Sequence, residues 1–427
     1  MSWKEYPLWE ERVYQKTLEN GLILAVVPRP GFQKKLAYFV TDYGSIHTRF
    51  SQDGIPQETP PGVAHYLEHK MFDLPRGEVS GEFAALGANV NAFTSYDMTA
   101  YYFSCAEHFE ESLRLLLEFV STPWFTEETV AKEQGIIGQE IDMTADSPDT
   151  RIFENLMEAM YETHPIRLPI LGDRASIAAI TPALLHRCHR AFYCPGNMML
   201  CVVGDVDAEA VERLALEILG TGIQAPAQKD RSWPEKMECP RQEVRQRMEV
   251  AMPMFQLGFK REDPGKGEGA VRQEIIGDLA AEALFGESSQ LYLELYEQGI
   301  IDSSFGGGFE TVEGMAMLTA SGDSDTPETV RESILARAQT LVREGLDQAE
   351  FLRMKRSALG RRIRELDSFD STCFRLCAYT LSGFDYFDFP RVFQSIEARE
   401  ILEFIRRTVT SQRCCLSVIE PIQEVSQ

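Results

Sequence analysis

The chain has few histidines, few basic residues relative to acidic ones, and no long apolar runs. Seven histidines occur among 427 residues. No stretch of eighteen apolar residues exists, which excludes a helix that spans a membrane. The opening run MSWKEYPLWEERVYQK has no apolar core of the signal-peptide kind, so a cytoplasmic location is expected. Nine cysteines (105, 188, 194, 201, 239, 373, 377, 414 and 415) include no C-x-x-C pair. An odd, scattered set argues against a disulfide framework and for reduced thiols. Lys and Arg number 42 against 66 Asp and Glu, a formal charge of −24. Such a surface repels nucleic acid and anionic membranes and favours cationic partners such as basic peptides.

The length exceeds what one compact core accommodates, so two domains are expected. Asn20-Gly21 lies between two strand-like runs, a hairpin signal. KKLAYFVTDYGS reads as a further strand. Pro60 and Pro61 precede VAHYLEHKMF, as at a helix start. NVNAFTSYDMTAYYFSC is rich in Thr, Tyr and Phe and reads as a strand pair. TEETVAKEQGIIGQEIDMTAD reads as a helix with Thr126 as N-cap. Around residues 220–245 Gly, Pro and charge dominate without sustained periodicity, as in a linker.

Beyond that stretch the pattern recurs. Setting AHYLEHKMF over GDLAAEALF, with Phe72 on Phe285, places His65 on Asp278 and His69 on Glu282. This is the pattern of an internal duplication in which the first copy alone carries the histidines. The expected fold is α+β: two similar domains, each a mostly antiparallel sheet with helices packed on one face. The expected boundaries are 1–222, a linker at 223–245, and 246–427.

His65 and His69 are four apart, one helical turn, and can point two imidazoles at one ion. Glu68 lies one turn from His65. Neutral imidazole is a good zinc ligand, and a catalytic zinc takes three protein ligands. Glu68 fits a general base better than a ligand, in the H-x-x-E-H order. The third ligand must come from elsewhere. Glu133 and Glu140 are seven apart and share a helix face. Ile136 and Ile137 between them suggest that this face is partly buried, where a carboxylate needs a partner. Spacing alone does not choose between the two glutamates. The other five histidines lack ligand spacing to this helix and read as structural or surface groups.

HYLEH followed by EQGIIGQE resembles the pitrilysin/insulinase (M16) family of zinc metallopeptidases. HKMF and GIIGQEI are similar to its bacterial half-size subunits, including those associated with elongation factor P modification. The resemblance implies one Zn2+ per chain on His65, His69 and Glu140. It implies Glu68 and Glu133 as the catalytic carboxylates, Glu68 as base and Glu133 in support of the ligands. NVNAFTSYDMTAYYF resembles the family's edge strand, so Asn91, Ala92 and Phe93 would contact a peptide substrate bound in extended conformation. The implied activity is metalloendopeptidase cleavage of unfolded peptides, or processing of a specific protein.

One departure stands out. Family members that bind substrate with their second half carry an Arg and, seven residues on, a Tyr. Here Tyr296 and, with the spacing one residue shorter, Asp302 take those places. This implies a dimer, with a motif-less sister subunit as the candidate partner. The alternative is a non-catalytic scaffold subunit that retains a metal site.

Overall fold

The computed structural model describes residues 3–9 and 11–422. The chain divides into two compact units. The first comprises Met1–Ile141, Pro169–Asp230 and Arg364–Phe387; the second comprises Asp142–Leu168, Arg231–Ile363 and Asp388–Gln427.

The first unit is built on a seven-stranded sheet. Its strands are β1 (Trp3–Tyr6), β2 (Glu11–Thr17), β3 (Ile23–Pro28), β4 (Lys35–Thr41), β5 (Asn89–Thr94), β6 (Thr99–Cys105) and β7 (Met198–Gly204). They run in the order β1-β2-β3-β7-β4-β6-β5. The β3–β7 pair is parallel and the other pairs are antiparallel. The second unit's sheet consists of β8 (Glu243–Met248), β9 (Met254–Arg261), β10 (Gly306–Val312), β11 (Met315–Asp323) and β12 (Cys414–Pro421). Its order is β8-β12-β9-β11-β10. The β8–β12 pair is parallel and the other pairs are antiparallel. Strand for strand, this repeats β3-β7-β4-β6-β5, so the duplication expected from sequence is visible in the topology.

The units change over at Asp230 and Arg231, inside 223–245, but that segment is not their sole boundary. Helix α3 (Pro148–Met160) precedes that segment in sequence but packs on β8, β9 and β12. Helix α5 (Phe369–Leu381) follows it but packs on β4 and β7. Each unit thus takes a helix from the other half of the chain. The reason is burial. The apolar face of α3, with Ile152, Leu156 and Met160, is covered in the second unit. Gly258 on β9 makes room for it, since a Cβ there would lie 2.4 Å from Met160 Sδ. On the first sheet, the Cys373 thiol of α5 donates to the Cys201 carbonyl on β7 at 3.9 Å. The first half's own helices lie over the opposite face, where Leu200, Val202, Tyr101 and Phe103 join the apolar core.

Residues 223–245 are also more ordered than a free linker. Gln228 and Lys229 pair with Ser51 and Phe50, and β8 begins at Glu243. Within the second unit the Glu235 carboxylate accepts bonds from the backbone amides of Thr163 (2.5 Å) and His164 (2.8 Å). It also accepts from Lys260 Nζ at 2.9 Å, and Lys260 is fully buried. Burial alone would raise the Glu235 pKa, but Lys260 and the backbone donors reverse this and hold it down at about 2. A carboxyl depressed in this way contributes stability above its unfolded pKa of about 4.3 and loses it as pH falls towards the folded value. Glu235→Gln leaves Lys260 buried without its countercharge. The expected loss is about 3 kcal/mol at neutral pH, shrinking on acidification from pH ~5 to ~2. Urea unfolding followed by tryptophan fluorescence measures it, because Trp233 stacks edge-on against His164 at 4.6 Å between ring centroids.

Candidate metal centre and its base

Helix α1 (Val63–Met71) starts behind Pro60 and Pro61, as expected. Gly62 caps it at φ 92°, where a Cβ would sit 2.5 Å from the Leu171 carbonyl oxygen. A side chain would be strained there and would also clash. Val63, Ala64, Tyr66, Leu67 and Met71 are buried and anchor the helix. His65 and His69 come out one turn apart, with ring centroids 4.6 Å apart.

Helix α2 (Glu127–Ala145) carries the two candidate glutamates. Thr126 caps it, its hydroxyl accepting from the Thr129 amide at 3.2 Å. Two buried bonds tie α1 to the first turn of α2. Tyr66 Oη donates to the Val130 carbonyl at 2.5 Å, and the buried Lys70 Nζ donates to the Thr129 carbonyl at 3.3 Å. Lys70 also pairs with Asp73. Ile137 is fully buried, whereas Ile136 is 44% exposed. Of the two isoleucines read as lining the glutamate face, only Ile137 is covered.

These constraints bring the sequence candidates together. His65 Nε2 lies 3.7 Å from Glu140 Oε1, and His69 Nε2 lies 3.5 Å from Glu140 Oε2. One ligand atom from each of the three residues falls within 4.8 Å of the others, and no further group of this kind exists among the described residues. The separations are too long for hydrogen bonds. They match a tetrahedral ion, whose ligands at about 2.05 Å stand about 3.4 Å apart. The donor set of two imidazoles and a carboxylate suits zinc. The residues present therefore fit a zinc ion.

Glu133 takes a different place. Its Oε1 lies 3.0 Å from His69 Nδ1. An ionised carboxylate only accepts, so Nδ1 carries the proton and Nε2 keeps its lone pair towards Glu140. Burial disfavours a charged His69, but the Glu133 bond and the nearby carboxylates outweigh it and raise its pKa. His65 behaves oppositely: burial, with His69 beside it, lowers its pKa to about 3 and keeps the ring neutral. Its Nδ1 is buried without a hydrogen-bond partner.

Glu68 stands beside this group. Its Oε2 accepts from Thr94 Oγ1 at 2.6 Å. Burial raises its pKa above the ordinary carboxyl value, partly countered by Thr94 and His69 and reinforced by Glu140. Thr94 is a functional contact that the sequence reading missed. The available signal was strand alternation: Thr94 is two residues from Ala92, and the two share a face of β5. Asn91, Ala92 and Phe93 lie on β5, the edge of the sheet, which pairs on one side with β6. The Ala92 amide donates to its neighbour Asn91 Oδ1 at 2.8 Å. The remaining histidines do not join the cluster. His164 Nε2 bonds the Glu313 carbonyl and His189 Nε2 the Val120 carbonyl.

The chain resembles known proteins in sequence and fold. The model of the family described as Insulinase (Peptidase family M16) matches residues 55–174. That of the Peptidase M16 inactive domain matches residues 179–358. A Bacillus subtilis protein named "Uncharacterized zinc protease YmfH" is 36% identical over 425 residues, covering 98% of each chain. The chain belongs to peptidase family M16. The crystal structure of an M16-like peptidase from Alicyclobacillus acidocaldarius superposes with a TM-score of 0.93 at 31% identity, over 99% of this chain and 100% of that one. Pitrilysin shares the fold at 15% identity and a TM-score of 0.81, and this chain covers 47% of it. Among the described residues no helix is long and apolar enough to cross a membrane.

Because a carboxylate at position 133 is what raises His69, Glu133→Gln is expected to lower the His69 pKa in metal-free protein. Imidazole proton shifts followed against pH by NMR measure this. An unmoved titration would mean that Glu133 does not govern the ring.

Proposed function

We propose that this member of the M16 family is a zinc-dependent endopeptidase acting on extended, unfolded peptides. His65, His69 and Glu140 hold one zinc ion per chain, and Glu133 fixes the His69 ring. The observation that carries the reading is Glu68, a partly buried carboxylate of raised pKa set beside that group and oriented by Thr94. A structural metal site has no need of such a base. Bound there, zinc supplies a Lewis acid that acidifies a water and polarises a peptide carbonyl.

The chain's own groups do the rest. Glu68, in its ionised form, takes the proton of the attacking water on Oε1, the oxygen not engaged by Thr94. It then delivers that proton to the leaving amide nitrogen. A raised pKa strengthens the base and lets the carboxyl hold the proton until the leaving nitrogen, the stronger base, takes it. The outer edge of β5 receives the peptide by strand addition at Asn91, Ala92 and Phe93, which tolerates varied sequence because main-chain bonds supply the affinity. An acidic surface favours basic peptides. Nine unpaired thiols suit a reducing compartment such as the cytoplasm.

Tyr296 and Asp302 bear on the quaternary state. Tyr296 is half exposed, and Asp302 is engaged by the Ser304 amide at 2.7 Å. They stand where related enzymes carry Arg and Tyr, so the working form is a dimer, with a motif-less sister subunit supplying that pair. The same feature favours a second reading, a non-catalytic subunit that retains the metal.

Glu68→Gln separates the two readings. It is expected to keep stoichiometric zinc while cleavage of a peptide library falls by about 10²- to 10⁴-fold. Cleavage by the unaltered chain, alone and with a sister subunit, should also decline as pH drops through the raised Glu68 pKa. If the unaltered chain is no faster than the Gln variant under either condition, the peptidase reading fails.

A further inference from the structure

The two faces of the edge strand β5 meet different surroundings. Thr94 reaches Glu68 on one face. Asn91 and Phe93 belong to the other, because strand side chains alternate. On that far face Asn91 pairs with Tyr102, Tyr102 with Tyr38, and Tyr38 with Cys201, forming one row across the sheet. Tyr38 and Tyr102 stack at 4.6 Å, and Phe93 meets Tyr102 at 6.3 Å between centroids. Helix α5 covers this face, with the thiols of Cys373 and Cys377 turned onto Cys201. The next residue, Phe374, is not turned into the sheet. Its ring lies 6.0 Å from that of Phe93 and remains 40% exposed.

Phe93 and Phe374 therefore form a partly open aromatic shelf directly beside the free edge of β5. Leaving a phenyl ring in water is unfavourable, and the ring adds little to the packing of α5, which its neighbours already secure. A peptide added to β5 would continue the sheet, and its side chains would alternate between faces as those of β5 do. Every second side chain would then point away from Glu68 and over this shelf.

We propose that Phe374, with Phe93, is a specificity-determining residue that takes an aromatic or large aliphatic side chain from the far face of the bound peptide. The inference rests on the peptidase reading above and adds the chemical class of substrate. Selection acts at a position whose side chain faces away from the reacting carbonyl. The second half of the chain thus contributes to recognition in the first unit through its exchanged helix.

The test uses the full chain and a quenched fluorescent peptide scanned with Phe and then Ser at each position. The unaltered protein should prefer Phe at one position, or at two positions spaced by two, by roughly tenfold in kcat/KM and mainly through KM. In Phe374→Ala the preference should collapse towards unity, and Phe374→Leu should keep part of it. A Phe374→Ala profile that superposes on that of the unaltered protein overturns the proposal. So does an equal loss at every position, which would mark a merely structural role. Should the unaltered chain, alone and with a sister subunit, cleave none of the peptides, the peptidase reading itself falls, and fluorescence anisotropy of the same set then decides the shelf. Position-dependent binding that disappears in Phe374→Ala supports it, and binding indifferent to position overturns it.

Discussion

The candidate site depends on the register between two helices. Tyr66 on α1 donates to the Val130 carbonyl, and Lys70 on α1 to the Thr129 carbonyl, both at the start of α2. Both side chains are fully buried, so neither bond has water as an easy substitute. With the first turn of α2 fixed against α1, helical geometry does the rest. Glu133 arrives one turn along α2, at His69 Nδ1, and Glu140 two turns further, between the imidazole Nε2 atoms. A slip of one residue would rotate both carboxylates by about 100° away from the histidines. The chemistry at His65, His69 and Glu140 is therefore only as well placed as a tyrosine and a lysine that never touch the site.

The duplicated half shows what happens to the same frame without that chemistry. On α4 (Gly267–Phe285), Asp278 and Glu282 occupy the places of His65 and His69. Asp278 faces the amide of Phe309 on β10, and Glu282 pairs with Arg361 at 2.9 Å. Phe309 itself fills the space over Gly277, where a Cβ would lie 2.2 Å from its ring. Asp278 thus ties the helix to a strand and Glu282 ties it to the helix that carries Arg361, and an aromatic ring closes the gap. The description of the matching family domain as inactive agrees with this arrangement.

Much of this was legible from residue order, for identifiable reasons. H-x-x-E-H needs only a helix to become a cluster, and the spacing of Pro61, the apolar positions and Phe72 specifies that helix locally. The NG hairpin, the β5–β6 pair and the Thr126 cap are likewise short-range, with Asn20-Gly21 and Thr126 as their signals. What lay outside the reading was long-range. The exchange of α3 and α5 depends on which sheet offers a matching apolar surface. Glycine at 258 and cysteine at 201 do not announce such a surface. Residues 223–245 look featureless because Glu235 gains its role from a lysine 25 positions away and from amides 71 to 73 positions back. Between Glu133 and Glu140, spacing gave no preference; the distinction is whether a carboxylate meets Nδ1 or Nε2, and only coordinates carry that.

Strand β5 joins the two aspects of the site. Its alternation gives Thr94 to Glu68 and Phe93 to the opposite face, so a single backbone sets both the base and the aromatic shelf. An edge strand is the least constrained strand of a sheet because half of its backbone groups lack a strand partner. Residue pairing with β6 runs in unbroken register from Asn89 to Thr94, which holds one side. A peptide that pairs along the other side would hold both, and would narrow the positions open to the Thr94 hydroxyl and through it to Glu68. On the proposed function, substrate binding would order the proton acceptor as it places the scissile bond, and one strand would link the two events rather than any movement of the helices that carry His65, His69 and Glu140.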